Sequence, residues 1–239
     1  MVTHHFLRSA ALAALALPTP ALAQAYQCRA PASITMPRAV QPDGPRRVSR
    51  ISGYTLAVSW SPEFCRGGKA GSDPDNLQCN GAIGRFGFVL HGLWPESGQG
   101  KYPQWCSVTP RPTEAELKAN LCMTPVPWLL EHEWAKHGSC MAKTPTAYFK
   151  VSAILWNGIR LPDADQLSRK DGLTAGDLRQ AFVALNPGWR AESVGLRVSN
   201  GGWLREVQLC YGKDFRPARC EARSFGPKNN VPLKIWRGL

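Results

Sequence analysis

FVLHGLWP (residues 88–95) and EHEWAKHGSC (residues 131–140) are the two segments that decide the fold and the chemistry of this 239-residue chain. Three of its five histidines fall within them: His91, His132 and His137. Histidines that served only as scattered surface residues would not be expected to concentrate in this way. Because imidazole has an ordinary pKa of about 6.5, it can both accept and donate a proton near neutrality. The clustering therefore favours a catalytic site.

The second segment predicts a helix that begins at Pro127, a favourable residue for the first turn, runs to about His137 and stops at Gly138. Positions four residues apart on such a helix lie about 40° apart. The pairs with this spacing are Glu133 with His137 and His132 with Lys136. Two imidazoles, a carboxylate and an ammonium could thus line one side of a cleft. This set suits phosphate chemistry, in which a cation attracts the phosphate and the imidazoles move protons.

A zinc hydrolase is one competing interpretation of these residues. The zinc motif H-E-x-x-H places both histidines on one helix face, whereas this chain has H-E-x-x-x-H. His132 and His137 then diverge by about 140°, and Lys136 would repel a cation. His91 could still serve as a third ligand, so a zinc-dependent nuclease remains an alternative. A catalytically inactive protein that binds RNA or another polyanion is a second alternative.

The first segment places His91 directly after the apolar run FGFVL (residues 86–90), which predicts a buried strand. The end of a strand on a rigid sheet is a favourable position for a catalytic group. Gly92 permits a close backbone approach. Trp94 and Tyr102 could stack on nucleic-acid bases, or could equally pack in the core.

Residues 1–23 have the features of a secretory signal peptide. Arg8 precedes an apolar run, and Ala21-Leu22-Ala23 forms an A-x-A cleavage site. The apolar run is too short to span a membrane. We therefore expect a secreted or periplasmic protein with no membrane segment, whose mature chain begins at Gln24.

The cysteine content and the net charge indicate the redox environment and the kind of partner. All eight cysteines lie beyond the expected cleavage point, and an even number in an exported chain favours disulfides, although the sequence permits about a hundred pairings. The formal net charge of +12 favours polyanionic partners, namely nucleic acid, acidic polysaccharide or anionic membrane.

The order of predicted elements indicates one domain at residues 51–239, preceded by a Pro/Arg-rich arm at residues 24–50. Strands are predicted at 53–60, 86–90, 193–198 and 203–211, and Gly201-Gly202 favours a hairpin between the last two. Helices are predicted at 112–121, 127–137, 146–159 and from Thr174 to Asn186, where Thr174 and Asp177 resemble a capping box. Strands and helices mix without a βαβ rhythm, which is typical of an α+β fold.

HGLWP (91–95) and HEWAKHGSC (132–140) resemble the two catalytic segments of the ribonuclease T2 family, which are exported and usually acid-active endoribonucleases. The resemblance extends from about Tyr54 to Cys220. It implies a single α+β domain in which helices pack on a curved antiparallel sheet stapled by disulfides. RNA is the expected substrate, with no metal or other cofactor. We further expect a monomer with no obligate protein partner.

The resemblance also implies a role for each matching residue. His91 is the expected general acid, His137 the general base, and His132 a phosphate-binding residue, while Glu133 and Lys136 would stabilise the phosphorane-like transition state. Trp94, Glu96 and Tyr102 match the first base pocket, where Glu96 replaces a frequent aspartate. The implied reaction is transphosphorylation to a 2′,3′-cyclic phosphate, followed by hydrolysis to a 3′-phosphate.

Disulfide pairing is expected as follows. The resemblance pairs Cys106, after the first motif, with Cys140, which closes the catalytic helix. Cys210–Cys220 is expected as a local loop closure. Cys65–Cys79 and Cys28–Cys122 then follow by elimination.

Overall fold

The computed structural model describes residues 27–67, 76–98 and 100–238. The predicted signal peptide and its cleavage site lie outside these residues. None of the helices in the described part of the chain is long and apolar enough to cross a membrane.

A four-stranded antiparallel sheet forms the centre of the molecule. Its strands are β2 (Gly53–Trp60), β4 (Phe88–Glu96), β5 (Val194–Val198) and β6 (Leu204–Gly212), in the spatial order β4-β2-β6-β5. A separate two-stranded ribbon pairs β1 (Gln27–Cys28) with β3 (Gly84–Arg85). One face of the main sheet carries core residues such as Leu56, Val58 and Leu209, all fully buried. Alternate positions on β2 and β6 point to the other face, which carries Thr55, Ser59, Glu206 and Gln208.

Helices cover the core side and the ends of the sheet, so the expected α+β class is confirmed. They are α1 (Ser61–Cys65), α2 (Glu114–Asn120), α3 (Pro127–Lys136), α4 (Pro145–Asn157), α5 (Ala164–Leu167), α6 (Ala175–Leu185) and α7 (Ala222–Phe225). The predicted capping box of Thr174 and Asp177 is present at the start of α6, since each side chain bonds the other's backbone N–H. Helix α3 is anchored by buried Leu130 and Trp134.

The prediction that a strand ends before His91 is wrong. Strand β4 begins at Phe88 and continues through the histidine to Glu96. Its pairing with β2 shifts at this point, because Ala57 pairs with Gly92 whereas Val58 pairs with Leu90. His91 is thus the extra residue of a β-bulge, a feature that re-aims a side chain next to many active sites. β4 is an edge strand, where a proline such as Pro95 is tolerated.

The described part of the N-terminal arm lies along the domain surface. Residues 29–46 carry no helix or strand. Arg47 then exchanges two backbone hydrogen bonds with Gln104, of 2.9 and 3.0 Å. Near this bridge, the Trp105 indole donates to Asp43. The arm is therefore fastened to the loop between β4 and α2.

Four disulfides staple the fold. They are Cys28–Cys122, Cys65–Cys79, Cys106–Cys140 and Cys210–Cys220, so all four expected pairs are confirmed. Cys106–Cys140 joins the loop after β4 to the turn that follows α3. This bond therefore links the chain segments that flank the two histidine motifs.

Candidate active site

One cleft of about 280 Å³ brings together every residue for which the sequence predicts a catalytic or base-binding role. They are His91, Trp94, Glu96, Tyr102, His132, Glu133, Lys136 and His137. Four further residues line it: Arg197, Gln208, Arg223 and Ser224. A larger cleft of about 730 Å³ is bordered by Trp60 and Trp236 and contains none of the three histidines. Volume alone therefore does not identify the site.

His91 lies between two carboxylates. Its Nδ1 is 2.7 Å from Oε2 of Glu206, and its Nε2 is 3.5 Å from Oε1 of Glu133. Burial lowers the pKa of His91, but the hydrogen bond with Glu206 and the charge of Glu133 outweigh it and raise the pKa to about 9. Because 34% of the side chain is open to the cleft, the burial effect is smaller than for an enclosed ring. His91 is thus kept as the imidazolium near neutrality.

Glu133 is buried and reaches from α3 to strand β4. Its Oε2 accepts a hydrogen bond of 2.6 Å from the indole Nε1 of Trp94. Burial raises the pKa of this carboxyl to about 7. The helical spacing pairs Glu133 with His137, but in the structure the Glu133 carboxylate lies against His91. Gly92 makes this approach possible, since a Cβ atom there would lie 1.9 Å from Glu133 Oε2.

Helix α3 ends at Lys136, one residue earlier than predicted, and His137 is its C-cap residue. The ring is buried between aromatic neighbours, with the centroids of Trp94 and Tyr102 each 5.5 Å away. Burial first, and then the charge of Lys136, hold the pKa of His137 well below 6.5. Its Nδ1 is buried and has no hydrogen-bond partner among the described residues. His137 is therefore neutral, the opposite of His91.

His132 and Lys136 form the outer wall of the cleft. The His132 ring stacks on half-exposed Trp128, with centroids 5.0 Å apart, and meets the edge of Trp105. Burial and the nearby Lys136 lower the pKa of His132. The Lys136 ammonium makes a 2.6 Å ion pair with Asp43 of the arm. The arm thus supplies a carboxylate to Lys136 in the wall of the cleft.

The expected base pocket contains an ion pair. Glu96 accepts a hydrogen bond of 2.8 Å from Thr55 on Oε1, and Arg223 donates to Oε2 at 2.6 Å. Burial raises the pKa of Glu96. Nearby, the Arg47 guanidinium lies 5.2 Å from the centroid of the Tyr102 ring. Both oxygens of Glu96 are therefore already engaged before any base enters.

Four charged residues of the site were not predicted from the sequence: Asp43, Arg197, Glu206 and Arg223. Glu206 is 115 positions from His91, and Asp43 is 93 positions from Lys136. Such long-range contacts leave no local pattern. The only signal was the alternation of Glu206 and Gln208 with apolar residues along a predicted buried strand.

Within the described residues, no group of three or more His, Cys, Asp or Glu side chains is arranged to hold a metal ion. His132 and His137 have separate surroundings: His132 lies against Trp128, and His137 lies between Trp94 and Tyr102. The site therefore presents its imidazoles to the cleft as separate groups.

Residues 52–177 match the sequence profile of the ribonuclease T2 family. The chain is 32% identical to a probable ribonuclease of Haemophilus influenzae over 71% of its own length and 61% of that protein. It is also 32% identical to a ribonuclease of Aeromonas hydrophila, over 67% of its length and 72% of that protein. In fold it is similar to the S-like ribonuclease trichomaglin, with a TM-score of 0.58 and 23% identity, covering 77% of this chain and 98% of that one.

Proposed function

The chain belongs to the ribonuclease T2 family of endoribonucleases, and from this premise we propose that it cleaves single-stranded RNA by transphosphorylation, with His137 as general base and His91 as general acid. The observation that carries the proposal is that two imidazoles in contrasting surroundings border the same Trp94 indole: His91 lies between two carboxylates, and His137 lies among aromatic rings. Acid–base catalysis of a displacement needs one neutral and one charged partner at the same pH.

In the first step the neutral His137 removes the proton from a ribose 2′-OH. The 2′-oxygen attacks the adjacent phosphorus, and the bond from phosphorus to the 5′-oxygen breaks. That oxygen takes the Nε2 proton of His91. The products are a 2′,3′-cyclic phosphate and a free 5′-OH, with His137 now charged and His91 neutral.

The second step reverses the two roles. Neutral His91 removes a proton from water, and the water oxygen attacks phosphorus. The bond to the 2′-oxygen breaks, and His137 returns its proton to that oxygen. A 3′-phosphate results, and both imidazoles recover their starting protonation states.

The other polar groups of the cleft would stabilise charge on the phosphoryl oxygens. Lys136 contributes a positive charge, and His132 lies one helical turn before it as a phosphate-binding residue. A carboxyl group whose pKa is about 7, such as Glu133, is partly protonated near neutrality and can donate a hydrogen bond to such an oxygen. Trp94 and Tyr102 offer faces for base stacking beside Glu96.

Location follows from the sequence. Residues 1–23 have the composition of an export signal, and four disulfides suit an oxidising compartment. We therefore propose that the protein acts in the periplasm or the medium.

The test is cleavage of single-stranded RNA by the purified protein, with and without EDTA. The wild type should cleave equally in both, whereas His91→Ala and His137→Ala should each lose about 10²–10⁴-fold in turnover. His132→Ala should mainly raise KM. Lys150→Ala, at an exposed position on α4, is the control and should retain full activity.

Three results would overturn the proposal. Intact RNA with the wild type would indicate a binding protein without activity. Loss of cleavage in EDTA would indicate a metal-dependent nuclease. If His137→Ala retained more than about a tenth of the wild-type turnover, His137 could not be the general base, because a general base usually contributes about 10²–10⁴-fold.

A further inference from the structure

Glu206 is a buried carboxylate at the middle of β6, on the same sheet face as the cleft. Its residue is only 8% exposed. The register places it beside Ser59 of β2 and Arg197 of β5. Its Oε1 accepts a 2.8 Å hydrogen bond from the Gln208 amide, and its Oε2 lies 2.7 Å from Nδ1 of His91. The carboxylate is therefore held in place on one side and directed at the imidazole on the other.

A buried carboxylate is costly unless a hydrogen-bonded or charged partner compensates it. Gln208 is neutral, so it fixes the orientation of Glu206 without balancing its charge. The hydrogen bond and charge of His91 keep the pKa of Glu206 low against the opposing effect of burial. The β-bulge that carries His91 is what turns its ring towards β6. Two separate features of the sheet thus produce this one contact.

We propose that Glu206 is a positioning residue for His91: it holds the Nδ1–H of the ring in every protonation state, so that Nε2 is the nitrogen that exchanges the proton with the substrate. The inference rests on the proposed role of His91 as the acid. With Nδ1–H held by Glu206, the proton that moves is the one on Nε2. Nε2–H is transferred to the departing 5′-oxygen, and the remaining Nδ1–H stays bonded to Glu206.

Other charges also face the His91 ring. From α3, the Glu133 carboxylate favours the imidazolium, whereas the Lys136 ammonium opposes it. From β5, Arg197 lies in register with Glu206 and lowers the pKa of that carboxyl. Glu133 approaches Nε2 at 3.5 Å, so Glu206 is the carboxylate within hydrogen-bond distance of Nδ1. The two carboxylates therefore act on different nitrogens, and their effects can be separated.

The first test compares Glu206→Gln with Glu192→Gln. The amide keeps an acceptor for Nδ1–H but removes the charge, while Glu192 is an exposed glutamate before β5 and controls for loss of one negative charge. In Glu206→Gln we expect the pKa of His91, followed by NMR, to fall by one unit or more. The alkaline limb of the kcat/KM profile should fall with it, and kcat should drop about twofold or more at pH 8 with KM little changed, because about half of the His91 rings would then be neutral. An unmoved His91 titration would overturn the proposal.

The second test needs no variant and so does not depend on the folding of one. The ¹⁵N shifts of His91 in the wild type should show the Nδ1–H tautomer after the ring has lost its second proton. A neutral ring protonated on Nε2 would contradict the inference. Both NMR readouts are made without RNA. If the wild type failed to cleave RNA but the His91 pKa fell as expected in Glu206→Gln, only the proposed function would be wrong. If the wild type cleaved RNA but the His91 pKa did not change in Glu206→Gln, only the proposed role of Glu206 would be wrong.

Discussion

His91 and His137 are the same residue type in opposite electrostatic surroundings. Two carboxylates flank the His91 ring, whereas the His137 ring is enclosed by aromatic side chains with Lys136 nearby. The first setting favours the imidazolium and the second favours the neutral ring. The different roles of His91 as acid and His137 as base therefore follow from the neighbours of each ring.

This difference predicts the pH dependence of kcat/KM. Activity should rise as pH increases through the pKa of His137, which lies well below 6.5, because the base must be neutral. It should fall as pH rises through about 9, where His91 loses its proton. Glu133, whose pKa is about 7, should add a shallower decline between these limits. The family resemblance favours an acidic optimum, whereas the surroundings of His91 predict activity that persists above neutrality. Complete loss of activity by pH 7, measured on a defined oligonucleotide, would contradict the effect of these surroundings.

Gly92 is predicted to be intolerant of even one methyl group. In Gly92→Ala the new Cβ would lie 1.9 Å from Glu133 Oε2 and 2.8 Å from Trp94 Nε1, and so would break the hydrogen bond between these two residues. We expect a loss of about 1–3 kcal/mol in the free energy of unfolding, the usual cost of overpacking, together with a lower kcat. Gly67→Ala is the matched control, because nothing lies within 4 Å of its Cβ position. Equal urea unfolding curves for the two variants would refute the predicted loss of stability in Gly92→Ala.

Most elements were predictable because their signals are local. Strand β2, the capping box of α6 and the hairpin near Gly201 follow from alternation, capping residues and turn residues within short windows. The continuation of β4 through His91 was not predictable, since a bulge depends on the partner strand. The roles of Glu206 and Asp43 were not predictable for a similar reason: each meets its partner only after distant segments have packed.

The N-terminal arm is expected to moderate substrate binding. Asp43 pairs with Lys136, so a substrate phosphate must compete with this carboxylate. Because the Asp43 side chain is 51% exposed, the effect should be small: Asp43→Asn should lower KM for RNA by at most about fivefold. Asp165→Asn removes an exposed carboxylate paired with Arg169 and should leave KM unchanged. A rise in KM for Asp43→Asn, measured by steady-state kinetics, would show that the arm instead positions the lysine.

Across the whole molecule, the cleft forms where five distant parts of the chain meet: the arm, β4 with the loop that follows it, α3, the pair β5–β6, and α7. Cys106–Cys140 closes a separation of 34 residues and joins the loop carrying Tyr102 to the turn after α3. A backbone hydrogen bond of 2.8 Å from Trp105 to Lys136 reinforces this connection. The geometry of the cleft thus depends on covalent links as well as on packing.

Removal of this disulfide should therefore reduce both stability and activity. The double variant Cys106→Ser, Cys140→Ser should lose about 2–5 kcal/mol in the free energy of unfolding. It should also lose kcat, because the loop and the helix end can separate. The control pair Cys65→Ser, Cys79→Ser removes a bond outside the residues that line the cleft and should lose stability with little change in kcat. Equal kcat values for the two double variants in the folded state would argue against a role in site geometry.

The identity of the nucleophile tests the central claim most directly. If the attacking group is the substrate's own 2′-OH, the enzyme can cleave RNA in EDTA but cannot cleave DNA, since nothing on deoxyribose can attack. The measurement is mass spectrometry of the early products from a short RNA that carries a single 2′-O-methyl group. The account predicts 2′,3′-cyclic phosphate ends at the cleaved bonds and protection of only the bond on the 3′ side of the methylated ribose. Normal cleavage at that bond, or products with 5′-phosphate ends, would show that water is the nucleophile and would contradict the roles of His91 and His137.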